Sequence, residues 1–304
     1  METKNLRLVI KGAQKDTNTT QKVDKILHII GMTLIYLFLA IMALIIIFPF
    51  YWMLITSLKS TEEIRRTTQT FFPEVVMWSN YVDVFKEFKF VTYLRNTLIV
   101  GIISTLGTLI TTIFAAFAFA RLEFKGRDLM FSILLMTMMI PGEMMVITNY
   151  ITVSNLGWLK DATGVFTSMI VPFWISVFNI YLLRQNFKQI PNELYLAAKV
   201  DGKSDWSYLW KVMVPLAKPT LITIFILKLM GAWNSYVWPN LVADKEQYRL
   251  ISNGLRSSFS TVTGEPQYGL QMAATVLVTV PLLLLFIFFR KYIMRGVGRA
   301  GIKG

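Results

Sequence analysis

Long apolar windows separated by short charged clusters set the pattern of this chain. Ile26–Leu58 runs 33 residues without a charge, Asn96–Ala120 runs 25, Ala162–Leu183 runs 22 and Pro266–Phe289 runs 24. Two further windows carry one charge each: Leu129–Tyr150 holds Glu143 and Pro219–Ala243 holds Lys228. A helix of roughly 20 residues crosses the hydrocarbon of a bilayer, and every window exceeds that. The apolar runs are continuous rather than alternating, which argues against a membrane barrel. The pattern predicts an all-α membrane protein with six transmembrane helices. Residues 1–25 form a polar arm and 26–290 the six-helix domain, with an outer loop at 60–95 and an ordered polar inner loop at 186–218. Residues 291–304 form a tail.

Composition agrees. The chain has 304 residues, 54% of them hydrophobic and 16% charged, with a mean hydropathy of +0.52. The formal charge of +13 would suit nucleic acid if it were spread, but it follows the spans. With a cytoplasmic N-terminus, inner segments hold 20 Lys and Arg and outer segments 10. That is the positive-inside asymmetry, which places both termini in the cytoplasm, with anionic lipid contact as a secondary role and no nucleic acid. The first span is too long for a cleaved signal and is expected to be retained. No cysteine is present, which removes disulfides, thiolate metal sites and cysteine nucleophiles. The single histidine, His28, sits at the mouth of the first span and reads as an interfacial residue.

Several local signals refine the elements. The arm 1–25 is basic and polar and reads as flexible. Pro49 can kink the first span, and Tyr51 and Trp52 fit an interfacial belt. In the outer loop Tyr81, Val84, Phe85 and Phe88 recur at helical spacing, as a cap on the bundle or a contact for an external protein. Ala115, Ala116, Ala118 and Ala120 give the second span a thin face for close helix packing. Pro141-Gly142 should distort the third span. No internal repeat is evident.

The polar inner segment Ile190–Pro219 stands out. Pro191 and Asn192 open a helix, with Asn192 read as its N-cap and Glu193 in its first turn. Ala197 and Ala198 leave a thin face. Asp201-Gly202 breaks the helix, since glycine accepts positive φ. Ser204 caps a second helix with Asp205 in its first turn; Trp206, Leu209, Trp210 and Met213 form an apolar stripe, and Pro215 and Pro219 close the segment. The expected product is a helical elbow presented to the cytoplasm, a docking surface for a soluble partner.

At these residues the chain resembles the membrane subunit of an ATP-binding-cassette importer, of the carbohydrate group that includes maltose and glycerol-phosphate permeases. The family's signature is Glu-Ala-Ala, three residues, Gly, and a later hydrophobic-x-Leu-Pro ending. Ala197, Ala198 and Gly202 match at that spacing and Val214-Pro215-Leu216 approximates the end, while Leu196 replaces the Glu. Ordered stretches over roughly 28–304 add to the likeness, among them FPFYWMLITSLKS, MMIPGEMMVITNYITVSNLGW and GAWNSYVWPNLV. The resemblance implies a type I importer permease fold. It implies a second homologous permease, two cytoplasmic ATP-binding subunits and an extracellular solute-binding protein that delivers a carbohydrate. The coupling residues would be Glu193, Ala197, Ala198, Asp201, Gly202 and Pro215, in a bacterial cytoplasmic membrane. No GxxxxGK[ST] occurs in the chain. ATP and Mg are therefore expected on the partner ATPase, and this chain is expected to be a transport subunit, with no catalytic or metal site of its own.

Glu143, Lys228, Asn234, Tyr236 and Trp238 are candidates for a translocation path. An intramembrane charge such as Lys228 should face protein or a watery cavity, and could pair with Glu143. Asn234, Tyr236 and Trp238 offer amides and rings that suit a sugar, or an interfacial belt. A glycerol-phosphate importer is the nearest alternative. An ion-coupled sugar transporter would need mid-membrane ionisable groups beyond Glu143 and Lys228 and a repeat. An enzyme on lipid-linked sugars would need an acid cluster, for which Asp83 and Glu87 alone do not suffice.

Overall fold

The computed structural model describes the backbone of residues 2–260 and 267–301, and the side chains of 25–257 and 267–291. Among the described residues the chain is helical without strands. Three helices cross as single rods: Lys25–Ser57, Phe90–Arg121 and Tyr268–Lys291. The third and fourth spans are each two helices at an angle, Arg127–Met139 with Gly142–Asn155 (87°) and Ala162–Phe173 with Val177–Lys188 (45°). The fifth span is Lys218–Trp233, bent 76° from the preceding Asp205–Leu216. Six spans result, as the pattern predicts, and an even number leaves both termini on one side.

The Pro141-Gly142 distortion is present as the 87° break. Pro49 does not interrupt the first helix, which runs Glu2–Ser57. That helix includes residues 2–25, expected to be a flexible arm; they contain no proline, the residue that would break the helix. The tail is likewise helical through Gly301. The fifth window is shorter than expected: its helix ends at Trp233 with Asn234 at the C-cap, and the chain turns before a short helix, Val237–Val242.

The second span, Phe90–Arg121, is the central strut. It packs against the fourth and fifth spans and the outer helix Ile251–Ser260. Its buried face is polar at helical spacing: Asn96, Thr97, Ser104, Thr105, Thr108 and Thr112 are all buried. Asn96 Nδ2 donates to Gln247 O at 2.9 Å and Arg249 O at 3.1 Å, and Ile251 N–H donates to Thr97 Oγ1 at 2.8 Å. Tyr93 OH donates to Glu246 at 3.0 Å and Lys89 pairs with Glu246 at 2.7 Å. The hydrogen bond from Lys89, then that from Tyr93, holds the Glu246 carboxyl below the usual range. These contacts seat the last outer loop on the strut. Ala116 and Ala120 are buried against Leu183, Phe187 and Met213, the close approach that the small face permits.

The first outer loop forms a knitted cap. Its helix, Ser79–Glu87, turns Val84 fully inward, while Phe85 is exposed and meets Phe90 edge-on. Asn80 Nδ2 donates to Ser57 O at 2.9 Å, and the Ser57 and Tyr81 hydroxyls lie 2.7 Å apart. Lys59 and Glu63, both buried, approach within 4.0 Å. Lys59 donates to Thr70 O and lies over the Trp52 ring, while Glu63 accepts from the Thr70 hydroxyl and from Glu74 N–H. A buried pair is tolerated here because its remaining polar valences are filled. Phe71, Phe72 and Trp78 stay exposed on the outer face of the cap.

The bend in the fourth span depends on Gly107. Trp174 lies against it, and a Cβ there would sit 2.2 Å from Trp174 Nε1. Gly107→Ala is expected to destabilise the bundle by about 1–3 kcal/mol through overpacking. Gly31→Ala, with nothing within 4 Å, should be neutral or slightly stabilising. Thermal unfolding of the two variants in detergent checks the contrast.

Candidate functional site

The elbow forms as two helices joined by a tight turn. The first, Asn192–Val200, begins at Asn192 itself. Asn192 is therefore the first helical residue and not the N-cap, because Pro191 occupies the cap position with its ring-fixed φ of -54°. Glu193 stands in the first turn, exposed. Asp201 N–H bonds to Ala197 O at 2.9 Å, and Gly202 follows with φ +69°, the left-handed conformation that ends the helix. Ser204 Oγ accepts from Ser207 N–H at 3.2 Å, the expected cap of the next helix. That helix widens to a π-turn over Leu209–Met213 ahead of Pro215, which supplies no N–H to the ladder.

Three side-chain contacts lock the two helices together. Tyr195 OH donates to Asp205 Oδ1 at 2.7 Å, Lys199 pairs with the same oxygen at 2.8 Å, and Tyr195 meets Tyr208 edge-on at 5.0 Å. The expected apolar stripe divides. Leu209 and Met213 are buried in the inner core. Trp206 and Trp210 turn to the periphery, with Trp206 stacked on Phe114 of the strut at 5.8 Å. What the elbow presents to solvent is Ala197, Asp201, Gly202, Pro215, Leu196 and Val200, the last 89% exposed; Ala198 is half-buried.

Two arginines tie the elbow's base to the bundle. Arg121, the last residue of the strut, donates to Phe187 O at 2.8 Å and to Ile190 O, carbonyls at the end of the fourth span. Arg184 donates to Phe119 O at 3.0 Å, lies over the Phe131 ring at 3.8 Å and approaches Asp128 at 3.6 Å. Arg127 also donates to Asp128, at 3.2 Å. Charge counting treated these arginines as orientation signals. The signal for more was their position at span ends beside a short loop, where helix carbonyls need donors.

The five path candidates are not brought to one place. Glu143 sits on the exposed turn Gly142–Met145 and makes no pair with Lys228. Lys228 donates instead to Phe173 O at 3.0 Å, at the break in the fourth span, and lies 5.6 Å from the Phe173 ring centroid. Thr108 and Thr111 of the strut donate to Phe173 O and Trp174 O beside it. Trp238 is buried, donates to Ser168 O at 3.0 Å and meets Phe173 edge-on, so it braces spans rather than forming an interfacial belt. Asn234 is exposed at the helix end, and Tyr236 lies under the Arg256 guanidinium at 4.8 Å. Lys228 and Trp238 do share a cavity of about 230 Å³.

A membrane bundle with a tied cytoplasmic elbow defines a permease component of a transport system. The chain belongs to the family of binding-protein-dependent transport system inner membrane components, whose pattern covers residues 108–299. It is 28% identical over 271 residues to the arabinooligosaccharides transport system permease protein AraQ of Bacillus subtilis, over 88% of this chain and 94% of that one. It is 26% identical over 268 residues to the sn-glycerol-3-phosphate transport system permease protein UgpE of Yersinia pestis, over 86% of this chain and 94% of that one. A crystal structure of a bacterial ABC transporter involved in the import of the acidic polysaccharide alginate matches with TM-score 0.77 at 25% identity, over 88% of this chain and 97% of that chain.

The lock on the elbow can be opened selectively. Asp205→Ala removes the shared acceptor of Tyr195 and Lys199. Hydrogen exchange of the amides in 193–200 is expected to speed up about two- to fivefold, the scale of a partly exposed pair. Exchange in the strut should be unchanged.

Proposed function

We propose that this chain is one permease subunit of an ATP-driven, binding-protein-dependent importer of carbohydrate in a bacterial cytoplasmic membrane, with oligosaccharide as the main substrate class. It forms half of a translocation pathway with a second, homologous permease. Its elbow seats on one of two cytoplasmic ATP-binding subunits, which hold ATP and Mg and carry out the hydrolysis. An extracellular solute-binding protein delivers the sugar. The observation that carries this reading is the elbow: a helix–Gly–helix unit locked internally, exposed on one face and clamped to the strut by Arg121 and Arg184.

The geometry supports a lever. A force on the exposed face of Asn192–Val200 passes through the Tyr195–Asp205–Lys199 lock to Leu209 and Met213. Those side chains pack on the strut and the fifth span. Arg121 and Arg184 carry the same force into the fourth span. ATP-driven approach of the ATPase subunits would then bias the bundle between inward and outward states through contacts that differ between them. Leu196 stands where the family has Glu, and it is exposed. Docking here therefore rests on shape and apolar contact, with Glu193 one turn earlier as the available carboxylate. A glycerol-phosphate compound is the second reading for the substrate, favoured by the likeness to UgpE.

Gly202→Asp tests the coupling. A Cβ at Gly202 meets nothing within 4 Å, so the bundle itself should tolerate the change, at a cost of about 1 kcal/mol for the left-handed φ. The new carboxylate on the docking face is expected to abolish ATP-driven uptake in vesicles containing all subunits, with insertion in the membrane unchanged. Normal uptake in that variant refutes the coupling role of the elbow. Uptake by this chain alone on an ion gradient refutes the importer reading.

A further inference from the structure

We propose that Lys228 makes the outer half of the pathway selective for an anionic carbohydrate group, a uronate or a phosphorylated polyol. This rests on the importer reading above. The cavity lies between the second, fourth and fifth spans and is lined by Val100, Ser104, Phe173, Lys228, Ser235 and Trp238 among others. Its walls belong to the outer part of the strut and the outer end of the fifth span, the side from which substrate arrives. At about 230 Å³ it falls below the roughly 300–1,000 Å³ of drug-sized pockets, so it suits one sugar-sized group and not a chain.

The charge balance of this cavity is incomplete. Lys228 is the one charged residue among those that line it. No Asp or Glu pairs with it among the described residues, and Glu143, the acid expected to do so, lies elsewhere. An ammonium has three donors, and the described bonds of Lys228 use one, to Phe173 O. A neutral donor would cap that carbonyl as well, and the Thr108 hydroxyl already lies 2.9 Å from it, its one proton shared between this carbonyl and Ser104 O. Capping therefore does not explain a cation, which is costly at this depth, about 15 Å along the helix from Lys218. An anion in the cavity would fill the two remaining donors with charge-assisted bonds. The Phe173 and Trp238 rings on the same wall offer the apolar surface that the C–H face of a sugar needs.

The test uses the complete importer in nanodiscs and measures weak binding by saturation-transfer NMR with three probes: glucuronate, sn-glycerol 3-phosphate and glucose. The wild type is expected to bind at least one anion more tightly than glucose. Lys228→Gln, whose amide can still cap Phe173 O, should weaken that anion about tenfold or more and leave glucose unchanged. Lys228→Arg should retain it. A loss confined to glucuronate identifies a uronate; a loss confined to glycerol 3-phosphate identifies a phosphorylated polyol. Equal binding of anions and glucose by the wild type, binding of none of the probes, or an unaltered anion affinity in Lys228→Gln overturns the proposal. ATP hydrolysis by the same preparation, and its stimulation by the solute-binding protein, read the importer function separately, so either claim can fail without the other.

Discussion

A span that bends inside hydrocarbon frees carbonyls that no water can reach, and each needs a donor from a neighbouring helix. That constraint organises this protein. The fourth span breaks at Phe173 and Trp174, and the freed carbonyls are taken by Thr108, Thr111 and Lys228. Its cytoplasmic end frees Phe187 O and Ile190 O, and Arg121 takes both. Three of these four donors lie on one helix, Phe90–Arg121. Of the buried polar stripe on that rod, Thr108 serves the bend, while Asn96 and Thr97 serve the outer loop; facing lipid, such a stripe would be unfavourable.

The same helix links the site to the bundle. Its cytoplasmic end anchors the base of the elbow, its middle holds the bend of the fourth span, and its outer end seats the loop around Glu246. A displacement of the elbow is therefore opposed or followed by one continuous element that touches both faces of the membrane. The cavity with Lys228 lies along that element, between the bend and the outer loop. Coupling between the proposed docking face and the proposed cavity would run through this shared element.

Much of this was legible in the residues. Four uncharged windows and two with a single charge mark the six spans, Pro141-Gly142 marks the sharpest bend, and Asp201-Gly202 with Ser204 marks the turn and cap of the elbow. What the sequence could not show were partners across spans. Pro172 gives little warning of the break at Phe173, and nothing local says that Thr108 and Thr111 face it. Trp238 has the composition of an interfacial belt residue yet points inward to Ser168 O. Asn192 has the chemistry of a cap, but Pro191 fixes the backbone one residue earlier. Arg121 and Arg184 were counted as charges because their acceptors are backbone carbonyls, which look alike at every position. The polar stripe of the strut was the available clue, since Ser104, Thr108 and Thr112 recur every four residues with Thr97 two turns earlier.

The central claim is that the exposed face of Asn192–Val200 seats on an ATPase subunit and moves with it. The chain has no cysteine, so Ala197→Cys gives a single thiol on that face. In the assembled importer a short bifunctional cross-linker should join this position to the ATP-binding subunit, with a yield that changes between the nucleotide-free and ATP-bound states and with loss of uptake on cross-linking. Free labelling of the same thiol by a bulky maleimide in the assembled complex, with uptake intact, would contradict the account.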